Sequence, residues 1–507
     1  MEFLFIIISF ITLVFLFMVT RTVSKTKPRN SVVKNLPPGP WKLPLIGNMH
    51  QLVSSLPHRT LRDLADKYGA LMRLQLGQVP TIVVSSAEIA KEIMKTHDLI
   101  FSQRPYVLAA QIMAYNSTAI IFTPYGNYWR QMRKICMMEL LSPSRVQSFR
   151  SVREEEVSDL IESLYTDAGS PVNLSQKIYS MTYGITARSA FGKKSKEQED
   201  FIRIMAEVVK LAGGFCLSDM YPSSELLKLI SGMRIKLNKL HRASDKILEN
   251  IVKEHRNKRR NQTGGGGGNP QQEDLVDVLL KIQQQGDLEF PLTNDNIKAV
   301  IQDVFGAGSE TSATVVEWTM SELLKNPELL KKAQSEVREV FGDQKGVAVS
   351  ESRIHELRFL KSVVKETLRL HPPGPLLIPR ECSEDCRIKG YEIPAKTKVI
   401  INAWAIGRDP SYWKEAERFD PERFMDSDID FRGSNFEYIP FGGGRRICPG
   451  ITYALPSIEL PLANLLYHFN WELPGGLKGE DLDMTESFAL AVRRKNDLYL
   501  IPTPFHV

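Results

Sequence analysis

Ten residues at 441–450, FGGGRRICPG, crowd four glycines, two arginines and a proline around one cysteine. A thiolate is a soft metal ligand, but an ordinary thiol has a pKa of ~8.5 and needs help to ionise below it. Gly442, Gly443 and Gly444 allow a tight turn that aims backbone N–H groups at the Cys448 sulfur. Pro449 suits the first position of a following helix, whose positive end would face the sulfur. A heme iron is one metal that takes a single cysteine. On that reading Phe441 shields the thiolate, Arg446 pairs with a propionate and Gly450 leaves room for a wide planar ring. The competing reading is an inert cysteine buried in a turn.

Other residues with chemical potential lie in helical patterns. VFGAGSETSA (304–313) holds Gly306 and Gly308 inside a long apolar-periodic run. Each costs about 1 kcal/mol relative to alanine. Either a second helix crosses closely there, or something flat and wide lies against this turn. Glu310 and Thr311 follow. Buried, an acid beside a hydroxyl can relay protons; exposed, the two are a solvated face. In KETLRLHPP (365–373), Glu366 and Arg369 stand at i, i+3 on one helix face. Arg423, in PERF (421–424), would complete a buried Glu–Arg–Arg cluster in which each charge needs its partner.

The elements that position these residues are mostly helices. Helical period runs through 59–69, 87–96, 127–140, 143–166, 196–212, 225–256, 294–325, 327–342, 353–370 and 450–468, with Asn294 or Asp295 capping the long run. Residues 71–86 read as a hairpin turning near Gly77 and Gln78. Residues 387–404 read as two short strands joined near Pro394. The fold class is therefore mainly α with a small β region.

With 507 residues, 43% of them hydrophobic, the chain can bury a large core. A net charge of +6 is too diffuse for a nucleic-acid binder and suits an anionic membrane surface or an acidic protein partner. The five cysteines, Cys136, Cys216, Cys382, Cys386 and Cys448, are too few for a disulfide framework and fit reduced thiols in a cytosol-facing domain. Cys382 and Cys386 form a CxxxC without the second pair or histidine cluster of a zinc site. Residues 3–20, FLFIIISFITLVFLFMVT, would span ~27 Å as a helix, enough for a hydrocarbon core. Glu2 precedes this run, and Arg21, Lys25, Lys27, Arg29 and Lys34 follow it, the pattern of an uncleaved anchor with its body in the cytosol. LPPGPWKLPLIG (36–47) reads as a stiff hinge, and the five glycines at 264–268 as a flexible loop. The expected organisation is an anchor (1–24), a basic and proline-rich hinge (25–48) and a heme-binding catalytic domain (49–507).

The cysteine loop matches Phe-x-x-Gly-x-Arg-x-Cys-x-Gly at Phe441, Gly444, Arg446, Cys448 and Gly450. It resembles the heme-binding signature of the cytochrome P450 family. AGSETS (307–312) resembles that family's oxygen-activation motif, which implies catalytic roles for Glu310 and Thr311 and places Gly308 against the heme. Glu366, Arg369 and Arg423 match its structural ion cluster, and Trp129 and Arg133 its Trp-x-x-x-Arg propionate helix. Arg104 and Arg380 resemble further propionate contacts. The wording LRLHPPGPLLIPREC and NFEYIPFG is similar to the plant A-type microsomal branch, and within it to sesquiterpene and diterpene oxidases. Pro456 departs from the pattern, where a small residue is expected, and would kink the helix after the cysteine.

The resemblance implies the cytochrome P450 fold, heme b with a Cys448 thiolate, and electrons from NADPH through a membrane-bound NADPH-cytochrome P450 reductase. It implies an endoplasmic-reticulum monooxygenase that hydroxylates a small apolar terpenoid, with an alkaloid or phenolic as the alternative. Two other classes are a reductase-independent heme-thiolate isomerase or dehydratase, which usually lacks the acid–Thr pair, and a non-enzymatic heme sensor. Substrate contacts are expected from 106–122, 211–222, the turn before Gly308, 373–379 and 485–492, all aliphatic and poor in charge.

Overall fold

The computed structural model describes residues 35–53, 56–193, 198–213, 215–263, 273–342 and 349–505. The expected anchor at 1–24, the first part of the hinge and the glycine run at 264–268 lie outside them. Among the described residues no helix is long and apolar enough to cross a membrane.

The elements around the site are helices α1 (Asn127–Ile135), α2 (Arg150–Thr166), α3 (Leu174–Phe191), α4 (Asn294–Lys325), α5 (Arg358–Leu370) and α6 (Ile451–His468). A small sheet flanks them, made of β1 (Leu71–Leu76), β2 (Val79–Val84), β3 (Arg380–Glu381) and β4 (Lys398–Ile401) in the order β1-β2-β4-β3. The β1–β2 pairing is antiparallel with Leu76 opposite Val79, and Gly77 turns the corner at φ 58°. β4 adds parallel to β2. The region 387–404 holds more than two strands. Cys386–Ile388 and Tyr391–Ile393 form their own hairpin through Lys389 and Gly390, both at positive φ, before β4 begins.

α4 is the axis of the core. Its cap is Thr293, one residue before the expected pair: Thr293 Oγ1 accepts from Asn296 N at 3.2 Å, and Asn296 Oδ1 accepts from Thr293 N at 2.9 Å. This reciprocal pair satisfies two otherwise orphaned groups at the helix start. The helix is buried on nearly all sides, packed by α3, α5 and α6. α3 itself carries no clear amphipathic pattern because it too is buried almost all round, so its sequence offers no periodic polar face. The 143–166 run breaks at Phe149, whose ψ of 12° ends one helix before α2 begins. The 225–256 run likewise divides into Glu225–Ile230 and Met233–Thr263. α6 runs from Ile451 to His468 as one helix through both Pro456 and Pro461, so Pro456 does not end it.

The residues 35–48 pack on the body. Arg73 N donates to Pro38 O at 2.7 Å, Asn48 N to Gln75 O at 2.6 Å, and Glu392 N to Asn35 O at 2.7 Å. A Cβ on Gly39 would lie 2.0 Å from Arg73 O, so only glycine permits this approach to β1.

The three charges of the ion cluster meet. Arg369 Nε and Nη2 donate to the two carboxylate oxygens of Glu366 at 2.7 Å each. Arg423 Nε and Asp420 N donate to Glu366 Oε1 at 3.1 and 2.8 Å. Arg369 Nη1 also reaches Gly407 O and Ala416 O at 2.6 and 2.7 Å, which ties α5 to the chain leading to the cysteine loop. Both Glu366 and Arg369 side chains are fully buried. Removing one partner of such a pair leaves an uncompensated charge, at a cost of about 3–5 kcal/mol. Glu366→Ala is therefore expected to lower the urea midpoint for loss of heme absorbance sharply, or to prevent heme incorporation; a midpoint equal to the unaltered protein's would remove the cluster's structural role.

Candidate active site

The cysteine loop closes on itself: Cys448 N donates to Phe441 O and Ile447 N to Gly444 O, each at 3.0 Å. Gly442 and Gly444 sit at φ 71° and 67°. A Cβ on Gly444 would lie 2.0 Å from Met94 O, so this glycine lets the loop lie against the helical turn Glu92–Thr96. The glycines thus shape the loop; the N–H that reaches the sulfur is that of Gly450, which donates to Cys448 Sγ at 3.3 Å. α6 begins at Ile451, so Pro449 lies before the helix and not in its first turn. Burial pushes the Cys448 thiol up, while the Gly450 N–H and the Arg133 charge pull it down. A metal cation on the sulfur is what would make it a thiolate here. Phe441 is half-buried and meets Phe431 edge-on, with ring centroids 5.1 Å apart.

Four guanidinium groups converge on this loop. Arg446 donates to Ser102 O at 2.9 Å and Thr123 O at 2.7 Å, and its guanidinium carbon stands 4.3 Å from the Trp129 ring centroid. Trp129 in turn donates from Nε1 to Ile120 O at 3.1 Å. Arg133 reaches Ile447 O at 2.6 Å, one residue before the cysteine. Arg380 donates to Gly443 O at 2.7 Å and pairs with Asp98 at 3.3 Å. Arg104 donates to Ile121 O, Ile378 O and Pro379 O. Burial and mutual repulsion lower Arg446 to about 9 and hold Arg104 well below the usual arginine range. Asp98, which also pairs with Arg445 at 3.4 Å, is the one carboxylate ion-paired to this group among the described residues. Such an excess of buried positive charge is costly without anions. Two propionates are the complement it lacks, so the residues present fit a heme, with Cys448 as its iron ligand.

α4 passes the same region. Among its described residues between 296 and 324, the positions not buried are Asp303, Ala307, Gly308 and Thr311. Asp303, Ala307 and Thr311 stand at i, i+4 and i+8, one stripe of an otherwise enclosed helix that opens onto internal space. Thr311 Oγ1 donates to Ala307 O at 2.6 Å within this stripe. Glu310 points elsewhere. It is buried and accepts from Tyr183 Oη of α3 at 3.0 Å. Burial raises its carboxyl, with nearby Arg493 pulling the other way. Glu310 and Thr311 are thus adjacent in sequence but bonded on different faces. A Cβ on Gly308 would stand 3.4 Å from Tyr453 of α6 and 3.8 Å from Thr186 of α3. These are ordinary van der Waals distances, so the α3–α4–α6 packing alone does not demand glycine at this position.

Two residues not singled out in the sequence complete the arrangement. Tyr183 is invisible without knowing that α3 crosses α4. Asp303 is legible as the next step up the i, i+4 stripe; its Oδ2 accepts from Ile121 N at 3.0 Å, and burial pushes its carboxyl up to about 7. It holds the 106–122 segment against α4.

A small apolar pocket lies beside the site. Val107 and Phe122, Phe215, Leu377, and Phe488 and Leu490 represent four of the five expected substrate segments on its wall; Ile400 of β4 was not anticipated. None of its lining residues carries a polar side chain.

A cysteine-centred cradle of this kind, roofed by a long glycine-bearing helix, defines a heme-thiolate enzyme. The cytochrome P450 family profile matches residues 37–501, and the chain belongs to that family. It is a P450 monooxygenase whose cofactor is a thiolate-bound heme. Premnaspirodiene oxygenase of Hyoscyamus muticus is 51% identical over 505 residues, covering 100% of this chain and 99% of that protein. Tabersonine 6,7-epoxidase isoform 1 of Catharanthus roseus is 52% identical over 504 residues, covering 99% and 98%. A zebrafish cytochrome P450 solved with abiraterone superposes with a TM-score of 0.74 at 25% identity, over 90% of this chain and 100% of that one.

Cys448→Ala is expected to abolish the thiolate-type carbon monoxide difference spectrum of the reduced protein. An unchanged spectrum would reassign the ligand.

Proposed function

We propose that the protein hydroxylates a small apolar plant terpenoid, a sesquiterpene or diterpene, using O2 and two electrons from NADPH delivered by a separate NADPH-cytochrome P450 reductase. The observation that carries the substrate class is the cavity wall without a polar side chain. The similarity to premnaspirodiene oxygenase supports a terpenoid. The equally strong similarity to tabersonine 6,7-epoxidase favours a second reading, an alkaloid. A cationic amine buried on this wall would find no carboxylate there, which weighs against that reading.

When bound, the heme supplies oxygen activation and transfer of one oxygen atom. The protein's part is position, charge and protons. Arg104, Arg133, Arg380 and Arg446, with Trp129 packed under Arg446, would hold the propionates, and Cys448 would hold the iron. Thr311 has its hydroxyl on the accessible stripe of α4, where it would offer a proton donor to the reaction. Glu310, its carboxyl raised by burial and held by Tyr183, stands one helix face behind it as the candidate acid of the site. The apolar wall excludes water and offers no polar anchor, so shape governs which carbon faces the reaction. The apolar run at 3–20 and its trailing basic residues support an anchor in the endoplasmic-reticulum membrane, with the catalytic domain in the cytosol.

The test is product formation in microsomes carrying the full-length chain and a plant reductase. Sesquiterpenes, diterpenes, monoterpenes and indole alkaloids are each supplied with and without NADPH and oxygen. A terpene product one oxygen heavier, dependent on both, is expected. Turnover of an alkaloid alone would discard the terpenoid class. An oxygen-independent product would favour an isomerase or dehydratase. Thr311→Ala is expected to keep heme but divert NADPH electrons to hydrogen peroxide; a product-to-NADPH ratio equal to the unaltered enzyme's would end its proton role.

A further inference from the structure

Of the five cysteines, two touch. Cys382 Sγ and Cys386 Sγ lie 3.7 Å apart, at the outer edge of the sheet and away from the Cys448 loop's sulfur. The backbone fixes both. Cys382 N donates to Thr397 O at 2.9 Å, and Lys396 N donates to Cys382 O at 2.7 Å. Ser383 N donates to Ile100 O at 2.9 Å. Cys386 begins a strand paired with Ile393. The three residues between the thiols, Ser383, Glu384 and Asp385, are exposed, so the connecting turn has room to shift. A disulfide needs the sulfurs at ~2.05 Å, a further approach of well under one residue's length.

The pair is also asymmetric in the way such chemistry requires. Cys382 is buried and donates its S–H to Glu384 O at 2.9 Å; Cys386 is partly exposed. The Cys382 S–H can serve only one acceptor at a time; turned from Glu384 O to Cys386 Sγ, 3.7 Å away, it draws the Cys386 thiol below its ordinary value, against burial and the charges of Glu384, Asp385 and Glu92. By contrast, burial pushes Cys136 and Cys216 up to about 12.

We propose that Cys382 and Cys386 are a redox modification site that a hydroperoxide converts to an intramolecular disulfide and a dithiol reductant restores. Cys386 thiolate attacks the peroxide oxygen; the O–O bond breaks, the alcohol or water leaves with a proton, and Cys386 becomes a sulfenic acid. Cys382 then gives up its proton and attacks that sulfur; the S–S bond forms and hydroxide leaves as water. Two thiols lose two electrons and the peroxide gains them. The site needs neither substrate nor turnover, so it stands apart from the monooxygenase reading.

Trypsin cleaves after Arg380 and Arg387, so both cysteines fall in one peptide, ECSEDCR, residues 381–387. Full-length, heme-loaded enzyme is exposed to hydrogen peroxide at a dose that leaves its reduced carbon monoxide spectrum unchanged, then alkylated and digested. The expected peptide is unalkylated and two hydrogens lighter, and becomes doubly alkylated after dithiothreitol. Cys382→Ser should stop the reaction at an oxygenated Cys386. A peptide that stays doubly alkylated while Cys216 or Cys136 oxidises would overturn the proposal. So would a native enzyme that accumulates sulfinic acid at Cys386 beside a free Cys382, or a glutathione adduct in place of the internal bond when glutathione is present.

Discussion

Concentrating four arginine side chains around one sulfur is the constraint that organises this protein. Like charges in a low-dielectric interior repel, and their desolvation is not recovered by carbonyl contacts alone. Arg104, Arg133, Arg380 and Arg446 each come from a different segment, so the chain must be folded before they meet. The carbonyls of Ile121, Ile378, Pro379, Gly443, Ser102 and Thr123 hold the guanidinium planes in place. A dianionic ring then completes a charge balance that the polypeptide leaves open, so cofactor binding and folding are coupled. The Glu366–Arg369–Arg423 cluster does the opposite job. Its one carboxylate is shared by two guanidiniums whose remaining N–H groups reach backbone carbonyls, and it stiffens the chain that leads into the cysteine loop.

The two faces of α4 divide the chemistry. Thr311 and Ala307 belong to the stripe that opens inward, while Glu310 belongs to the interface with α3. Glu310 accepts from Tyr183 and Thr311 donates to Ala307 O, so the two side chains make no direct hydrogen bond to each other.

Much of this was legible because the chemistry is local. The cysteine loop occupies ten consecutive residues, and Glu366 and Arg369 are neighbours on one helix turn, so spacing alone brings them together. The hairpin at 71–86 announces itself by alternation and by Gly77. What the sequence concealed depends on tertiary neighbours. α3 is uniformly buried and so has no periodic signature. Thr293 outcompetes Asn294 as the cap because Asn296 can answer it. The sulfur's N–H donor is Gly450 because the loop glycines are consumed by packing against Met94. Only the fold reveals that Tyr453 and Thr186 are the neighbours of Gly308. The expected anchor at 1–24 rests on its apolar run and the basic residues that follow it, and lies outside the described residues.

The proline-rich segment carries one more consequence. Residues 35–48 are hydrogen-bonded to β1, and Tyr221 donates to Leu45 O at 3.1 Å, which ties that segment to the same 211–222 stretch that walls the cavity. This proline-rich segment and the cavity wall therefore share one mounting. A shortened enzyme that starts near residue 35 keeps the mounting intact, whereas one that starts near residue 49 strips the edge from β1 and leaves Tyr221 without its acceptor. Where the chain is cut for crystallography or biocatalysis thus decides whether the substrate chamber keeps its native shape.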